Sequence, residues 1–382
     1  MPAPAAPPDA RRLTPDGLAE ALRTLGEPAY RAVQVLDWLH RRRAASWEEM
    51  SNLPAALRAR LAETFPLRLP ELVRHQGARD TTQKFLWRLA DGALVESVLI
   101  PANPALYGDR ADRHTLCVST QVGCAYGCRF CASGLDGWKR NLLPEEIEGQ
   151  VYAVERWHAS ELSSSSRLTE EESRTNSRAS RLIDNLVIMG MGEPLANYDH
   201  LLAALRTLNA PWGGGIGARK ITVSTSGLAP QIRRLADDPE QFRLAISLHG
   251  ATDEVRGRIM PVNRKHPLAE LAAACAYYVE RKGRMITLEY ILLAGVNDQP
   301  AHAAPLATLA RRLHAKVNLI PYNHVEGLEW RRPGDAACEA FAAALRRREV
   351  PTTLRLEKGP DIDPACGQLR LKTERELAAP AP

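Results

Sequence analysis

Three cysteines on one short loop are the residues of this sequence whose type and spacing most clearly indicate chemistry. Cys124, Cys128 and Cys131 form a C-x3-C-x2-C run. Typical iron–sulfur sites use four cysteines, so three thiolates would hold three irons of a cubane cluster and leave the fourth iron open to a small molecule. An open iron indicates reactivity rather than structure. The alternatives are a zinc site, with His114 as a conceivable fourth ligand, and a chance group of buried cysteines.

A glycine-rich turn follows the apolar run Leu186 to Met189. In Gly190-Met191-Gly192-Glu193-Pro194 the glycines would let the backbone approach a ligand closely, and Glu193 could receive an ammonium group. A dinucleotide fingerprint is not present, because the third glycine of G-x-G-x-x-G is missing. A plain tight turn is the alternative.

Polar side chains also follow three later apolar runs. They are Ser224 in VSTSG, Ser247 and His249 on either side of Leu248 in AISLHG, and Asn323 in IPYN. Taken singly, each fits a turn or a helix cap. Their recurrence at the carboxyl ends of successive strands is typical of a barrel active site.

The elements that would position these residues alternate between short β-rich runs and amphipathic stretches, from about Thr115 to Leu356. Such alternation predicts an α/β fold with βα units on a parallel sheet, and six units would make a full or partial barrel. The predicted strands are HTLCVST, NLVIMG, KITVSTSG, RLAISLHG, ITLEYILL, KVNLIPYN and TTLRL. The predicted helices are Pro144 to Trp157, Tyr198 to Leu208, Pro267 to Arg281, Ala301 to His314 and Gly334 to Arg348.

The domain organisation follows from changes in pattern along the chain. We expect a flexible leader at 1–13, a helical domain at 14–75, a β-hairpin linker at 76–110 around Asp91-Gly92, the barrel core at 111–371, and a tail at 372–382. Residues 159–181 are rich in Ser, Arg and Glu and almost devoid of apolar side chains, which predicts a mobile surface insertion within the core.

Composition narrows the class of protein. The 382 residues are 45% hydrophobic and 25% charged, with 50 basic and 45 acidic side chains, a formal charge of +5. This share of hydrophobic residues excludes bulk disorder. The small positive charge is compatible with an anionic partner. Arginine runs at 41–43, 331–332 and 346–348 could neutralise phosphates, although such runs are more often solvated faces. No segment approaches the ~20 apolar residues of a membrane span, so we expect a cytoplasmic protein.

The segment DIDPACGQL, which contains Cys366, completes a set of motifs. LCVSTQVGCAYGCRFC, VIMGMGEPLANY, VSTSG, AISLH, NLIPYN and DIDPACGQL together resemble the radical S-adenosylmethionine (SAM) dual-specificity RNA adenine C2-methyltransferases, from about Leu13 to Leu371. The resemblance implies a radical SAM partial (βα)6 barrel with a small N-terminal helical domain that docks RNA. The implied cofactors are a [4Fe–4S] cluster and SAM, two molecules per turnover. The implied partners are 23S rRNA, tRNA and an electron donor such as flavodoxin, without a membrane.

The resemblance also implies a role for each motif residue. Cys124, Cys128 and Cys131 correspond to the cluster ligands. The residues that correspond to SAM contacts are Gly192, Glu193, Ser224, Ser247, Leu248, His249 and Asn323. Cys366 matches the cysteine that carries the methyl group, Cys117 the cysteine that resolves the adduct, and Glu96 the proposed proton acceptor. The sequence departs from the family at Pro364, where alanine is common, and in the Ser-rich insertion.

The implied chemistry explains why two extra cysteines are needed. Adenine C2 has no lone pair with which to attack a methyl group, so one SAM methylates Cys366 and a second yields a deoxyadenosyl radical that takes hydrogen from the S-methyl group. The methylene radical adds to C2, and Cys117 attacks the Cys366 sulfur as the methylated base leaves. A related enzyme that methylates adenine C8 and confers antibiotic resistance is the nearest alternative. A noncatalytic iron–sulfur RNA-binding protein is the remote one.

Overall fold

The computed structural model describes residues 8–102, 113–165, 181–355, 362 and 365–378. Several features predicted from the sequence lie wholly or partly outside these ranges: residues 1–7 of the leader, 166–180 of the Ser-rich insertion, Pro364, and 379–382 at the end of the tail. Within the described ranges, the chain forms an α/β core with a smaller helical unit at its N-terminal side.

The core is built on one ten-stranded sheet. Its strands lie side by side in the order in which they occur in the chain, and a separate two-stranded hairpin, β5–β6, comes between the fourth and fifth of them in the sequence. Its first three strands are β1 (Glu71–Gly77), β2 (Gln83–Arg88) and β3 (Leu94–Pro101), which pair antiparallel. The remaining seven are β4 (His114–Cys117), β7 (Ile183–Ile188), β8 (Ile221–Thr225), β9 (Arg243–Ser247), β10 (Thr287–Leu292), β11 (Lys316–Pro321) and β12 (Thr352–Leu354). These seven pair in parallel, each with the next. The predicted parallel sheet is therefore confirmed.

The helices pack between these strands and before them. The N-terminal unit contains α1 (Pro15–Thr24), α2 (Tyr30–Leu36) and α3 (Ala55–Thr64). The core contains α4 (Pro144–Ser165), α5 (Tyr198–Asn209), α6 (Ala229–Asp237), α7 (Asp253–Ile259), α8 (Leu268–Lys282), α9 (Pro300–Arg312), α10 (Asp335–Arg346) and α11 (Gln368–Ala378). Five of these helices correspond to the predicted ones, and most of their ends lie within a few residues of the predicted ends. The exception is α4, which runs to Ser165 and so includes the start of the expected insertion.

Three features differ from the sequence-based expectations. The hairpin β2–β3 is not a separate linker, because β3 pairs antiparallel with β4, with Val98 opposite Cys117, and so extends the main sheet. The helical unit begins before Thr14, with a short 3-10 turn at Ala10–Arg12. The expected tail is largely helical, since α11 reaches Ala378.

Three clusters of buried apolar side chains lie among the described residues, two of them large and one a small cluster that packs Leu369 of α11 against Leu86 and Leu94. The main core lies between the sheet and its helices, and the second belongs to the helical unit, with Leu18, Leu22, Leu39 and other side chains. The units meet at α4, where His40 Nδ1 lies 2.8 Å from the Tyr152 hydroxyl. In the described part of the chain, no helix combines the length and apolar character of a membrane span.

Candidate active site

The cysteine loop leaves the sheet through a small hairpin of its own. Strands β5 (Gln121–Gly123) and β6 (Trp138–Asn141) pair antiparallel and hold its two ends together. At the start of the loop the Cys124 amide donates to the Gly137 carbonyl at 3.0 Å. Gly123 has φ +76°, and a Cβ there would overlap that same carbonyl oxygen. The hairpin therefore requires glycine at 123 in order to present the loop.

The three thiols of the loop are partly buried, and burial is the largest cause of their raised pKa values. The pKa of Cys124 is raised to about 12, and those of Cys128 and Cys131 are also raised. Metal binding replaces the proton of such a thiol, so iron would offset this cost. Within the described residues, no three His, Cys, Asp or Glu side chains lie close enough together to bind one metal ion.

The turn after β7 brings Glu193 close to the cysteine loop. Gly192 has φ +96°, and a Cβ there would collide with the Gln121 side chain. The buried Glu193 carboxylate accepts the Ser226 amide at 2.7 Å through one oxygen and the Leu195 amide at 3.1 Å through the other. Burial raises its pKa. Glu193 therefore joins the carboxyl ends of β7 and β8.

The polar residues predicted at later strand ends lie at the same edge of the sheet. Ser224 and Ser247 are neighbours, with their hydroxyl oxygens 3.4 Å apart. His249 Nδ1 accepts the Ile291 amide at 3.1 Å. Burial lowers the pKa of His249 to about 3, which keeps the imidazole neutral. A neutral ring in this position serves as an acceptor and a packing surface rather than as a cation.

One cavity of about 320 Å³ collects most of the predicted site residues. Those that line it are Cys124, Cys128, Cys131, Gly192, Glu193, Ser224, Ser247, His249, Asn323 and Cys366. Leu248, Cys117 and Glu96 are not among its lining residues. The Leu248 side chain is buried in the main apolar core, and only its backbone is at the strand end, where its amide donates to the Glu289 carbonyl at 3.0 Å.

Cys117 and Cys366 meet at the wall of this cavity, although 249 positions separate them in the sequence. Both are free thiols. A hydrogen bond between the two sulfurs raises the pKa of Cys117 and lowers that of Cys366. The positive charges of Lys84 and Arg355 also lower the pKa of Cys366. These two charges favour the thiolate of Cys366, which is the form of a cysteine that attacks.

Glu96 lies behind this pair on β3 and is buried. One of its carboxylate oxygens accepts the Gly367 amide at 2.8 Å, and the other accepts the Arg370 amide at 2.6 Å. The same carboxylate pairs with the Lys84 ammonium at 3.1 Å. Glu96 thus supports the segment that carries Cys366 and caps the amino end of α11, where backbone amides lack partners within the helix.

Several cavity residues were not predicted from the sequence. Glu289, Arg355 and Ser226 all line the cavity. Glu289 is a buried acid within a strand, and the Asn318 side-chain amide donates to it at 2.7 Å. The sequence feature that could have identified Glu289 is a charged residue inside the otherwise apolar predicted strand ITLEYILL. Arg355, in TTLRL, directly follows β12, the last strand of the sheet, at the position where barrels place functional side chains.

The arginine runs noted in the sequence are mostly engaged within the protein. Arg42 pairs with Asp37 and stacks over the Trp38 ring, and Arg346 pairs with Glu339. The Arg348 guanidinium donates to the Ala344 carbonyl at 2.9 Å. Such contacts agree with solvated, intramolecularly paired faces, and no RNA contact is assigned to these side chains.

A parallel barrel sheet, a three-cysteine loop and a cavity at the carboxyl ends of its strands define the class of the protein as a radical SAM enzyme. The family model described as "Radical SAM superfamily" matches residues 118–304. The model described as "Ribosomal RNA large subunit methyltransferase N-terminal domain" matches residues 11–67.

Relatives that match over nearly the whole length of the chain identify the family within this class. The chain is 54% identical over 365 residues to the probable dual-specificity RNA methyltransferase RlmN 3 of Opitutus terrae, covering 95% of this chain and 94% of the relative. It is 48% identical to the dual-specificity RNA methyltransferase RlmN of Anaeromyxobacter dehalogenans, covering 95% and 91%. A crystal structure of a radical SAM methyltransferase from Sphaerobacter thermophilus superposes with a TM-score of 0.84 at 43% identity, covering 95% and 99%.

The chain belongs to the RlmN family of radical SAM RNA methyltransferases. Its cofactors are accordingly a [4Fe–4S] cluster and SAM. The residues present fit them. Cys124, Cys128 and Cys131 would hold the cluster, and the buried Asn323 Oδ1 atom, on a residue that lines the cavity, has no hydrogen-bond partner among the described residues. Unpaired buried polar atoms are costly unless a ligand or water meets them.

Proposed function

We propose that this protein methylates C2 of adenosine in 23S rRNA, at the peptidyl-transferase centre, and in tRNA, 3′ of the anticodon. The observation that carries the proposal is the contact between Cys117 and Cys366 beside the cysteine-loop cavity. A methyltransferase that used SAM directly would need neither thiol. The relatives' description as dual-specificity RNA methyltransferases supports the two RNA substrates.

The proposed cofactor contacts follow from the lining of the cavity. Cys124, Cys128 and Cys131 would hold the cluster. The residues proposed to contact SAM are Gly192, Glu193, Ser224, Ser247, Leu248, His249 and Asn323. Glu193 supplies a buried carboxylate suited to an ammonium group, and Asn323 supplies an unpaired acceptor. Leu248 could contribute only through its backbone in this arrangement, because its side chain is in the core.

The two thiols divide the proposed reaction between them. When bound, the cluster and SAM supply the methyl group and the radical chemistry. Cys366 offers its sulfur to the methyl group at the cavity wall. Cys117 then attacks that sulfur, so that an S–S bond forms while the S–C bond to the methylated adenine breaks. Reopening the disulfide takes two electrons from an external donor, for which we propose flavodoxin.

Glu96 is proposed as the acceptor of the adenine C2 proton. Both of its carboxylate oxygens accept backbone amides of the Cys366 segment. Proton acceptance would use a lone pair of the carboxylate that these two amides and the Lys84 ammonium leave free. We also propose that the N-terminal helical unit docks the RNA and that the protein works in the cytoplasm, where thiols stay reduced.

The identity of the methylated nucleoside tests the proposal. The chain is reconstituted anaerobically with iron and sulfide, then incubated with dithionite, methyl-labelled SAM and either rRNA or tRNA fragments. Mass spectrometry of the nucleosides should show 2-methyladenosine from both RNAs. 8-Methyladenosine would assign the protein to the C8 branch instead. SAM cleavage without RNA methylation would contradict the proposed substrates.

Alanine variants of the two thiols test the mechanism. We expect Cys117→Ala and Cys366→Ala to cleave SAM under dithionite and to release no methyladenosine. Cys338→Ala is the matched control, because Cys338 is a buried thiol of α10 and does not line the cavity. Methyladenosine release by either active-site variant would rule out the two-cysteine route.

A further inference from the structure

Beside the candidate site lies a buried ion pair between Glu96 and Lys84, a residue for which the sequence motifs imply no role. Lys84 of β2 and Glu96 of β3 lie on neighbouring antiparallel strands, with their charged atoms 3.1 Å apart and side chains only 2% and 3% exposed. Removing two charges from water is costly unless further hydrogen bonds complete both groups. Here those further bonds go to one short segment of chain.

That segment carries Cys366. The Lys84 ammonium donates to the Ala365 carbonyl at 2.8 Å, on one side of the cysteine. The Glu96 carboxylate accepts the Gly367 amide at 2.8 Å, on the other side. The ion pair therefore holds both backbone neighbours of Cys366. Because β2 and β3 are part of the main sheet, the segment is held relative to the barrel itself.

The opposite side of the segment faces the cysteine loop. The Ser133 hydroxyl lies 3.4 Å from the Cys366 carbonyl oxygen. Gly367 has φ +84°, and a Cβ there would lie 3.0 Å from the Ser133 amide nitrogen and from its hydroxyl oxygen. Cys366 is thus enclosed between the ion pair and the loop, with its sulfur 3.7 Å from the Met189 carbonyl at the cavity wall.

We propose that Lys84 is a positioning residue that fixes the backbone of Cys366 so that its sulfur can take a methyl group in the cavity. This inference rests on the proposed function. Lys84 does not line the cavity, so it acts through Ala365 and Glu96 and not on the cofactor. Small displacements of a reacting atom can cost two orders of magnitude in rate, and one ammonium group supports this carbonyl and this carboxylate together.

Two substitutions separate positioning from mere folding. Lys84→Met removes the ammonium and leaves Glu96 without its cation, so we expect methyl transfer to Cys366 to slow at least about tenfold. Lys84→Arg keeps a cation that can donate to both partners, and we expect it to recover most of the wild-type rate. Lys139→Met is the matched control, because Lys139 pairs with Glu374 of α11 at 3.5 Å but contacts neither neighbour of Cys366.

The measurement uses the full chain, reconstituted anaerobically and incubated with methyl-labelled SAM in the absence of RNA. Mass spectrometry of the peptide that contains Cys366 gives the rate of methyl transfer. Iron content and dithionite-driven SAM cleavage should be unchanged in all three variants. Hydrogen–deuterium exchange provides a readout without cofactors: the Gly367 and Arg370 amides should exchange faster in Lys84→Met and at wild-type rates in Lys139→Met.

The inference is overturned if Lys84→Met methylates Cys366 at the wild-type rate, or if Lys84→Arg is as slow as Lys84→Met. Should Lys84→Met fail to fold, the double variant Lys84→Met with Glu96→Gln removes both buried charges, and we expect the same slow transfer and fast exchange. If the wild type places no methyl group on Cys366, the proposed function fails, and the exchange data alone decide whether Lys84 holds the segment.

Discussion

At the scale of single residues, Glu193 combines an observed structural role with a proposed role in binding SAM. Its two carboxylate oxygens accept the backbone amides of Ser226 and Leu195, and its place in the cavity suits it to receive the ammonium group of SAM. Glu193→Gln keeps the size and removes the charge. Because a hydrogen bond to a charged group contributes about 1.5–3 kcal/mol, we expect SAM to bind roughly tenfold more weakly or worse. Equilibrium binding of labelled SAM to the reconstituted protein measures this.

The same variant must keep its cluster for this prediction to hold. We expect the iron content of Glu193→Gln to match the wild type, since Cys124, Cys128 and Cys131 are untouched. Glu280→Gln, at an exposed position of α8, controls for a general effect of charge removal. Unchanged SAM affinity in Glu193→Gln would show that the carboxylate only braces the two strand ends.

The residues of the site differ in how far the sequence could predict them. Those in contiguous motifs, such as Glu193 and Asn323, were predicted because strand ends of a parallel sheet meet at one edge. Lys84 could not be predicted this way, because its partner Ala365 is 281 positions distant. A lysine within a β-rich run is ordinarily exposed, so only the fold shows that this one is buried.

At the scale of elements, the hairpin β5–β6 presents the cysteine loop and depends on Gly123. Gly123→Ala would force a Cβ into the Gly137 carbonyl, so the Cys124 amide would lose its 3.0 Å hydrogen bond or the hairpin would open. We expect a cost on the order of 1–3 kcal/mol from such strain, and markedly lower iron uptake on reconstitution. Iron analysis and the visible absorption of the cluster measure it.

Gly215→Ala is the matched control for that substitution. Gly215 also has a positive φ, +63°, but nothing lies within 4 Å of the position its Cβ would take. It therefore carries the same backbone strain without the collision, and we expect normal iron uptake. Equal cluster content in Gly123→Ala and Gly215→Ala would contradict the role given to the hairpin.

The elements that the sequence did not predict were missed for different physical reasons. Helix α7 has 7 residues, too few for a clear helical period, and β1 is a largely exposed edge strand with a mixed pattern. Residues 372–378 of helix α11 were expected to belong to a tail. The amino end of this helix is capped by Glu96, from a strand some 270 positions earlier, and this long-range contact leaves no local pattern in the sequence.

At the scale of the whole molecule, the helical unit and the barrel meet through buried polar groups as well as apolar contacts. His40 and Tyr152 hydrogen-bond across the boundary, and Arg12 pairs with Glu145 of α4 at 3.5 Å. Arg11 is fully buried, with its guanidinium donating to the Ala44 carbonyl at 2.7 Å. If this unit docks RNA, as we propose, its attachment sets where the RNA stands relative to the cavity.

This attachment should weaken in acid because of His40. Burial, and then the charge of Arg11, lower the pKa of His40 from 6.5 to about 3. The folded state therefore cannot take up the proton that the unfolded state binds below pH 6.5, so the stability from neutral His40 is present above that pH and is lost as the pH falls toward 3. The free energy of unfolding should drop by about 1 kcal/mol from this group between pH 7.5 and 5.5.

Comparing the wild type with a His40 variant separates the effect of His40 on the free energy of unfolding from the effects of neighbouring titratable groups. Glu145 acts in the opposite direction, because burial raises its pKa to about 7 and its neutral form is favoured in the folded state as the pH falls. We therefore compare denaturant unfolding of cluster-free wild type with that of His40→Gln, which retains a hydrogen-bonding side chain and does not titrate. The wild type should lose about 1 kcal/mol more than the variant over this range. Parallel pH profiles would show that the pKa of His40 is the same in the folded and the unfolded protein, and would contradict this prediction.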